Sequence, residues 1–230
     1  MERAEFDQFA DEYLAQHRAN IKVTGEDPEY FAEYKIAVLR GILDAAGKIP
    51  ARIIDFGSGI GASVPWFRKY FARSALTCAD ASARSLELAQ ARFPGGEAYV
   101  EVAGDTLPAA DAGFDLVFSA CVFHHIDHAE HVRWLGELNR VTAPGGRLAI
   151  FEHNPYNPLT VRAVNTCPFD INARLIPARK LVAAARAAGW RDPQVRYHIF
   201  FPNFLKALRR FEPALGWLPL GGQYSMVASK

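Results

Sequence analysis

Three aspartates and two adjacent histidines carry the chemistry legible in this sequence. Asp55 ends an apolar run and opens the loop Asp55-x-Gly57-Ser58-Gly59-x-Gly61. Asp80 stands in Cys78-Ala79-Asp80-Ala81-Ser82, and Asp105 in Gly104-Asp105-Thr106. His124 and His125 lie in Phe123-His124-His125-Ile126-Asp127-His128. Closely spaced glycines let bare backbone approach a ligand. A carboxylate at a strand tip can accept both hydroxyls of a ribose. A neutral imidazole is a base suited to pH 7.

The glycine spacing alone leaves two ligands open. Gly57-x-Gly59-x-x-Ala62 fits the dinucleotide fingerprint, whose glycines cradle a pyrophosphate. Asp55 separates the two. A carboxylate about 4 Å from a phosphate charge is opposed by roughly 4 kcal/mol at an effective dielectric near 20. The same carboxylate favours a ligand with an ammonium group, and S-adenosylmethionine carries an ammonium and a sulfonium against one carboxylate.

The elements that must hold these residues follow from periodicity. Apolar runs at Arg52–Phe56, Ala75–Ala79, Ala98–Val102, Phe114–Phe118 and Arg147–Phe151 read as strands. Helical segments at Val64–Phe71, Ala83–Arg92 and Ala129–Val141 alternate with them. Such alternation predicts a parallel sheet with right-handed crossovers. A helix over Pro177–Ala188 stops at Gly189. Strands at Val195–Phe200 and Gln223–Ser229 then bracket a long excursion, which predicts an antiparallel edge pair. The expected fold class is α/β, a doubly wound Rossmann-like and mostly parallel seven-stranded sheet with an antiparallel C-terminal strand. Residues 1–48 show no obvious strand pattern and predict a helical N-terminal lid before a cofactor-binding domain over 49–230. Its first helix repeats Phe6, Phe9, Ala10, Tyr13, Leu14 and His17, and its second runs from about Pro28 to Ala46.

On these residues the sequence resembles the class I S-adenosylmethionine-dependent methyltransferases from about Ala51 to Phe151. IIDFGSGIG resembles the family's first motif, and CADAS, GDTLP, FDLVFSACVFHHI and LNRVTAPGGRLAIFE follow in the family's order. The resemblance implies S-adenosylmethionine as methyl donor and S-adenosylhomocysteine as product. It implies that Gly57, Ser58, Gly59 and Gly61 line the methionine end, with Asp55 meeting the ammonium directly or through water. Asp80 and Ala81 would hold the ribose. Asp105 would take the adenine amino group, with the Thr106 backbone beside the ring, and Ser119 would lie beneath the cofactor.

The acceptor side is expected beyond the carboxyl end of the fourth strand, where open α/β sheets bind ligands. His125, and second His124, are the candidate catalytic bases. His125, His128 and His131 recur every third residue, but exposed helical imidazoles seldom converge on a metal, so no metal site is expected. Two Asn-Pro pairs at 154–158 argue for a shaped turn rather than a helix start, with Glu152, His153, Tyr156 and Asn157 at the acceptor mouth. Tyr13, His17, Tyr30 and Tyr34 are candidates to close over the site. The segment FFPNFLKALRRFEPALGWLPLGG is expected to wall an apolar acceptor pocket or a dimer face, so a monomer or homodimer is anticipated.

Bulk composition narrows the partners. Half of the 230 residues are hydrophobic, enough for a sizeable core, and the net charge of +1 predicts no nucleic-acid partner. The place after the fourth strand reads Ser119-Ala120-Cys121-Val122, not the Asn-Pro-Pro-Tyr of nucleobase methylases. A small-molecule acceptor remains, with O- or C-methylation favoured over N. No apolar run is long enough to span a membrane, the acidic amphipathic start is unlike a signal peptide, and Cys78, Cys121 and Cys167 form no CxxC. A cytoplasmic, reduced protein is expected. The alternatives are an NAD(P)-dependent oxidoreductase, for which no Tyr-x-x-x-Lys pair is present, and a cofactor-binding protein without catalysis.

Overall fold

A computed structural model describes residues 26–167, 170 and 172–230. Seven strands form one sheet: β1 (Arg52–Phe56), β2 (Ala75–Asp80), β3 (Ala98–Glu101), β4 (Phe114–Ala120), β5 (Thr142–His153), β6 (Arg191–His198) and β7 (Gln223–Ser229). Their order is β3-β2-β1-β4-β5-β7-β6, parallel throughout except for β7, which is antiparallel to both neighbours. This is the expected fold class. The chain runs outward from β1 to β3 and then returns to β4, so the direction of winding reverses between β1 and β4. Ligands of such sheets bind at the carboxyl ends there.

Side-chain alternation sends successive residues of each strand to opposite faces. On one face Ile53, Leu116, Phe118, Ala149 and Phe151 pack with Val64 and Phe67 of α2 (Val64–Tyr70) and Leu86 of α3 (Ala83–Arg92). On the other, Ile54, Val117, Leu148 and Ile150 pack with Trp134, Leu135 and Leu138 of α4 (His131–Val141) and with Leu181 and Ala185 of α6 (Ala178–Ala187). Asp55 therefore shares the α2 face with Ile53, and Glu152 shares the α4 face with Leu148 and Ile150.

Three expectations change. Helix α1 (Pro28–Ala45), the second helix of the expected lid, buries Ile36, Leu39 and Leu43 in the same core as Ile53 and Phe67, because its apolar stripe needs the sheet to cover it. The first expected helix, with Tyr13 and His17, lies outside the described residues. The second Asn-Pro does start a helix, α5 (Pro158–Asn165): Asn157 is extended and its side chain accepts from Thr160 N at 3.0 Å, while Pro158 needs no N–H at the first helical position. Strand β5 begins earlier than its apolar run, with Thr142 already paired to Phe114 across an irregularity. Strand β6 also begins earlier, and its register shifts between Arg191 and Gln194 around Pro193, where Asp192 takes φ 49°. A bulge on an edge strand accommodates a residue that lacks an N–H.

The 200–222 excursion is tied down by two charged side chains. Glu212 accepts from the backbone N–H of Phe200 and Phe201 at 3.0 and 3.1 Å, and Tyr34 donates to its other oxygen. Arg209 bonds Phe201 O, pairs with Glu26 at 2.8 Å and lies over the Tyr30 ring. Phe204, Trp217 and Leu220 point outward, with 81, 75 and 56 % of their surface exposed, so among the described residues they line no closed pocket.

Candidate active site

The glycine loop is shaped by backbone that only glycine adopts cheaply. Gly57, Gly59 and Gly61 have φ of 78°, 51° and 76°. At Gly57 a Cβ would strike the Val122 side chain, and at Gly61 it would come within 2.9 Å of Ala89 Cβ. At Gly59 nothing among the described residues lies within 4 Å of that position. Two glycines thus serve packing, and the middle one presents bare backbone to open space. The loop is drawn onto β2 by Gly57 N and Ser58 N, which donate to Ala79 O at 2.7 and 3.1 Å.

Asp80 joins this loop to the next helix. One carboxylate oxygen accepts from Gly59 N at 2.8 Å and the other from Ser82 N at 2.9 Å. Ser82 itself caps α3 by accepting from Ser85 N at 3.0 Å, so the helix needs no cap from Asp80. A carboxylate in this place, at the tip of the second strand, is suited to ribose hydroxyls.

Asp55 is 2 % exposed and accepts a short hydrogen bond from Ser63 Oγ at the start of α2. Burial pushes its carboxyl up to about 7 despite the Ser63 bond, the neighbouring Asp80 raises it further, and Lys35 of α1 pulls it back. A cationic group placed there would favour the ionised form. Ser119, on the adjacent strand β4, is fully buried and its Oγ has no hydrogen-bond partner among the described residues. The acids, the open face of Gly59 and the unsatisfied Ser119 hydroxyl fit a polar cationic ligand with a nucleoside portion.

Asp105 and Thr106 lie on an exposed turn. Asp105 is held from below: Arg133 of α4 donates to its backbone oxygen at 2.7 Å and pairs with its carboxylate at 3.2 Å, while Glu137 accepts from Leu107 N at 2.7 Å. The turn is fixed by α4 side chains that sequence reading passed over.

Beyond β4 the histidines form a connected polar cluster. His124 is buried, with Nδ1 2.6 Å from Glu152 Oε2, and Glu152 Oε1 accepts from Val122 N and Phe123 N at 3.0 and 2.7 Å. Asp170 Oδ1 lies 3.5 Å from His124 Nε2 and 3.3 Å from His125 Nε2. Burial by itself would lower the His124 pKa, yet Glu152 and Asp170 outweigh it and push it up to about 10. The same histidine holds the Glu152 and Asp170 carboxyls below their ordinary range against burial. His131 stands apart: its Nε2 meets Phe123 O and Ile126 O at 3.0 and 3.1 Å, and it braces the loop as a neutral ring. His128 meets Arg174 O at 3.2 Å.

Glu152 was expected at the acceptor mouth and lies instead under His124, because it follows Leu148 and Ile150 onto the covered face. Asn154 and Asn157 pin the 219–222 turn by donating to Gly221 O and Leu220 O at 2.7 and 2.8 Å. Tyr156 is half exposed and lines a shallow groove of about 500 Å³ with Pro155, Val161 and Arg162, remote in composition from the acids and histidines. Sequence reading missed Asp170 and Cys121. Cys121 takes φ 59° at the end of β4, and its thiol, raised by burial, is brought down to about 7 by His153 and Lys35. No local spacing announces Asp170, which reaches the histidines only through the fold.

A sheet that reverses between β1 and β4, with an acid at the tip of β1 and β2 and glycine backbone between them, defines an α/β enzyme that binds a nucleoside cofactor. Residues 54–150 match the methyltransferase domain family. The chain is 30% identical over 205 residues to the malonyl-[acyl-carrier protein] O-methyltransferase of Geobacter sulfurreducens, covering 80% of this chain and 75% of that one. It is 34% identical over 114 residues to the demethylmenaquinone methyltransferase of Thermus thermophilus, covering 48% and 51%. A Thermotoga maritima structure described as a SAM-dependent methyltransferase, possible histamine N-methyltransferase, superposes with a TM-score of 0.68 at 19% identity over 99% of both chains. The chain belongs to the class I S-adenosylmethionine-dependent methyltransferases, and S-adenosylmethionine is its cofactor. That sets aside the oxidoreductase and non-catalytic readings. No helix among the described residues is long and apolar enough to cross a membrane.

Proposed function

We propose that this chain methylates a small-molecule acceptor at an oxygen or an acidic carbon that must shed a proton, with His125 as the group that takes it. One observation carries the reading: His125 Nε2 faces the Asp170 carboxylate at 3.3 Å, both side chains are 14 % exposed, and His125 follows the carboxyl end of β4. An imidazole oriented by a carboxylate is the arrangement of a general base, which contributes roughly 10²- to 10⁴-fold in rate. His124 serves differently. With one nitrogen on Glu152 and the other toward Asp170 it holds its proton, so it positions Asp170 and His125 rather than accepting a proton itself. The O-methyltransferase name of the Geobacter relative supports oxygen as the acceptor atom.

Bound S-adenosylmethionine supplies an electrophilic methyl group on a sulfonium. In this reading Asp55 faces its ammonium, Asp80 and Ala81 its ribose, Asp105 and Thr106 its adenine, and Ser58 and Ser119 the methionine portion over Gly57, Gly59 and Gly61. Tyr30 and Tyr34 of α1, held by Arg209 and Glu212, shelter the acceptor side from water. Orienting acceptor and methyl donor is worth up to about 7–11 kcal/mol. The soluble, reduced cytoplasm suits the three free cysteines.

The test is calorimetric binding of S-adenosylhomocysteine, followed by transfer from labelled cofactor across a panel of hydroxyl, carboxyl and phenol metabolites. We expect one cofactor equivalent and turnover of an oxygen acceptor. His125→Ala should lose about 10²-fold or more in kcat with cofactor affinity kept. Unchanged kcat in that variant with a true acceptor would remove His125 from the mechanism.

A further inference from the structure

His124, His125 and Asp170 each present one donor atom, and the three atoms lie within 4.8 Å of one another. The separations are informative. Asp170 Oδ1 stands 3.3 Å from His125 Nε2 and 3.5 Å from His124 Nε2. Charge-assisted N–H···O bonds at their optimum are shorter, about 2.7–2.9 Å, so these contacts are loose in the metal-free chain. Two ligand atoms each about 2.0–2.2 Å from a tetrahedral zinc ion stand roughly 3.3–3.5 Å apart, which is the spacing of both Asp170 pairs. We propose that these three side chains form a binding site for a zinc-class divalent cation on the acceptor side of the cofactor cradle.

The surroundings of the cluster are those of ligating imidazole. A metal-bound histidine gives its other ring nitrogen to a carboxylate or carbonyl, which fixes the tautomer and the ring plane. Glu152 does this for His124 at 2.6 Å and is itself gripped by two backbone N–H groups, and an ion bound at Nε2 displaces the proton that this nitrogen turns toward Asp170 in the metal-free chain. Two carboxylates thus converge on one imidazole, and among the described residues no lysine or arginine forms an ion pair with either. A divalent cation balances both. Two imidazoles and one carboxylate are borderline donors that suit zinc, iron or manganese more than calcium or magnesium, which take oxygen ligands.

The set differs from the helical trio of His125, His128 and His131. His128 and His131 are turned to backbone carbonyls, and Asp170 replaces them from a distant part of the chain. Three protein ligands leave a fourth position, as catalytic zinc sites do. Resting on the methyltransferase reading, that position takes the acceptor's hydroxyl or carboxylate oxygen. Loaded with metal, His125 gives its ring nitrogen to the ion instead of serving as the base; the ion lowers the pKa of the oxygen it holds, and that proton passes to solvent water.

The experiment uses tag-free full chain, stripped with a chelator and titrated with Zn²⁺ against a chromogenic competitor. Cofactor binding is measured on the same samples. We expect one zinc equivalent per chain and a raised melting temperature. Asp170→Asn and His125→Ala should each weaken zinc binding by roughly a hundredfold or more, and Glu152→Gln by about 10- to 100-fold. His128→Ala should leave it unchanged. Absence of stoichiometric zinc, or equal affinity in Asp170→Asn and His125→Ala, overturns the site. S-adenosylhomocysteine binding that survives such a result leaves the methyltransferase reading standing. Zinc bound without S-adenosylhomocysteine binding would sink that reading and keep the metal site.

Discussion

His124 Nδ1 lies 2.6 Å from Glu152 Oε2, and each side chain has only 1 % of its surface exposed. The contact joins the loop after β4 to the end of β5, and Glu152 also satisfies the N–H groups of Val122 and Phe123. One buried carboxylate therefore shapes the loop that carries both histidines.

Removing that carboxylate should destabilise the fold. Breaking a buried ion pair from one side costs about 3–5 kcal/mol, because the remaining charge stays buried and unpaired. Glu152→Ala should show this loss in denaturant unfolding, and Glu152→Gln, which keeps an acceptor oxygen, should lose less. Equal stability of the alanine variant and the parent would show that the loop is held by other means.

The glycines separate into structural and ligand-facing positions. Gly57→Ala meets Val122 and forces a side chain into φ 78°, so it should unfold at a clearly lower temperature, with a cost of roughly 1–3 kcal/mol or more. Gly59→Ala meets no atom of the described residues and has φ 51°. It should be the milder change for stability and the sharper one for S-adenosylhomocysteine affinity. Melting curves with and without the cofactor product distinguish the two patterns.

Asp80→Asn tests the ribose assignment. Hydrogen bonds to a charged group contribute about 1.5–3 kcal/mol, so calorimetry should show roughly a 10- to 100-fold loss of S-adenosylhomocysteine affinity. Because Asp80 also holds Gly59 N, part of the loss is loop ordering. Unaltered affinity would mean that the ribose lies elsewhere.

Cofactor affinity should depend on pH through Asp55. Its carboxyl is raised from an ordinary 3.8 to about 7 in the folded chain, chiefly by burial. The native state therefore keeps a proton that the unfolded chain releases. This contribution to stability is fully present below about pH 4 and falls away as pH rises to about 7. An ammonium beside Asp55 reverses the preference and selects the carboxylate. Binding then releases a proton below pH 7, and affinity for S-adenosylhomocysteine should increase from pH 5 to 7 and level off above. Asp55→Asn should flatten the slope; a slope retained in that variant assigns the proton to another group.

Local pattern was enough for the elements near the cofactor. Arg52–Phe56 and Ala83–Arg92 occupy the predicted positions, since an apolar run buried on both faces and a capped amphipathic segment announce themselves within a few residues. The order Asp55, Gly57, Gly59, Asp80 was legible for the same reason: each follows directly from the end of a strand. Helix α5 was missed because a proline that forbids a helix interior is favoured at its first turn, and the sequence offers both readings of Asn157-Pro158.

By itself, then, the sequence determined a doubly wound sheet, the acids that end β1 and β2, and a histidine pair after β4, because periodicity and turn chemistry act over short range. The tertiary structure decided which partners those histidines have. Glu152 comes from β5 through side-chain alternation, and Asp170 from a segment beyond α5, and no spacing along the chain encodes either meeting. It likewise set α1 against the sheet, since burial of Ile36 and Leu39 depends on which sheet face is left to be covered.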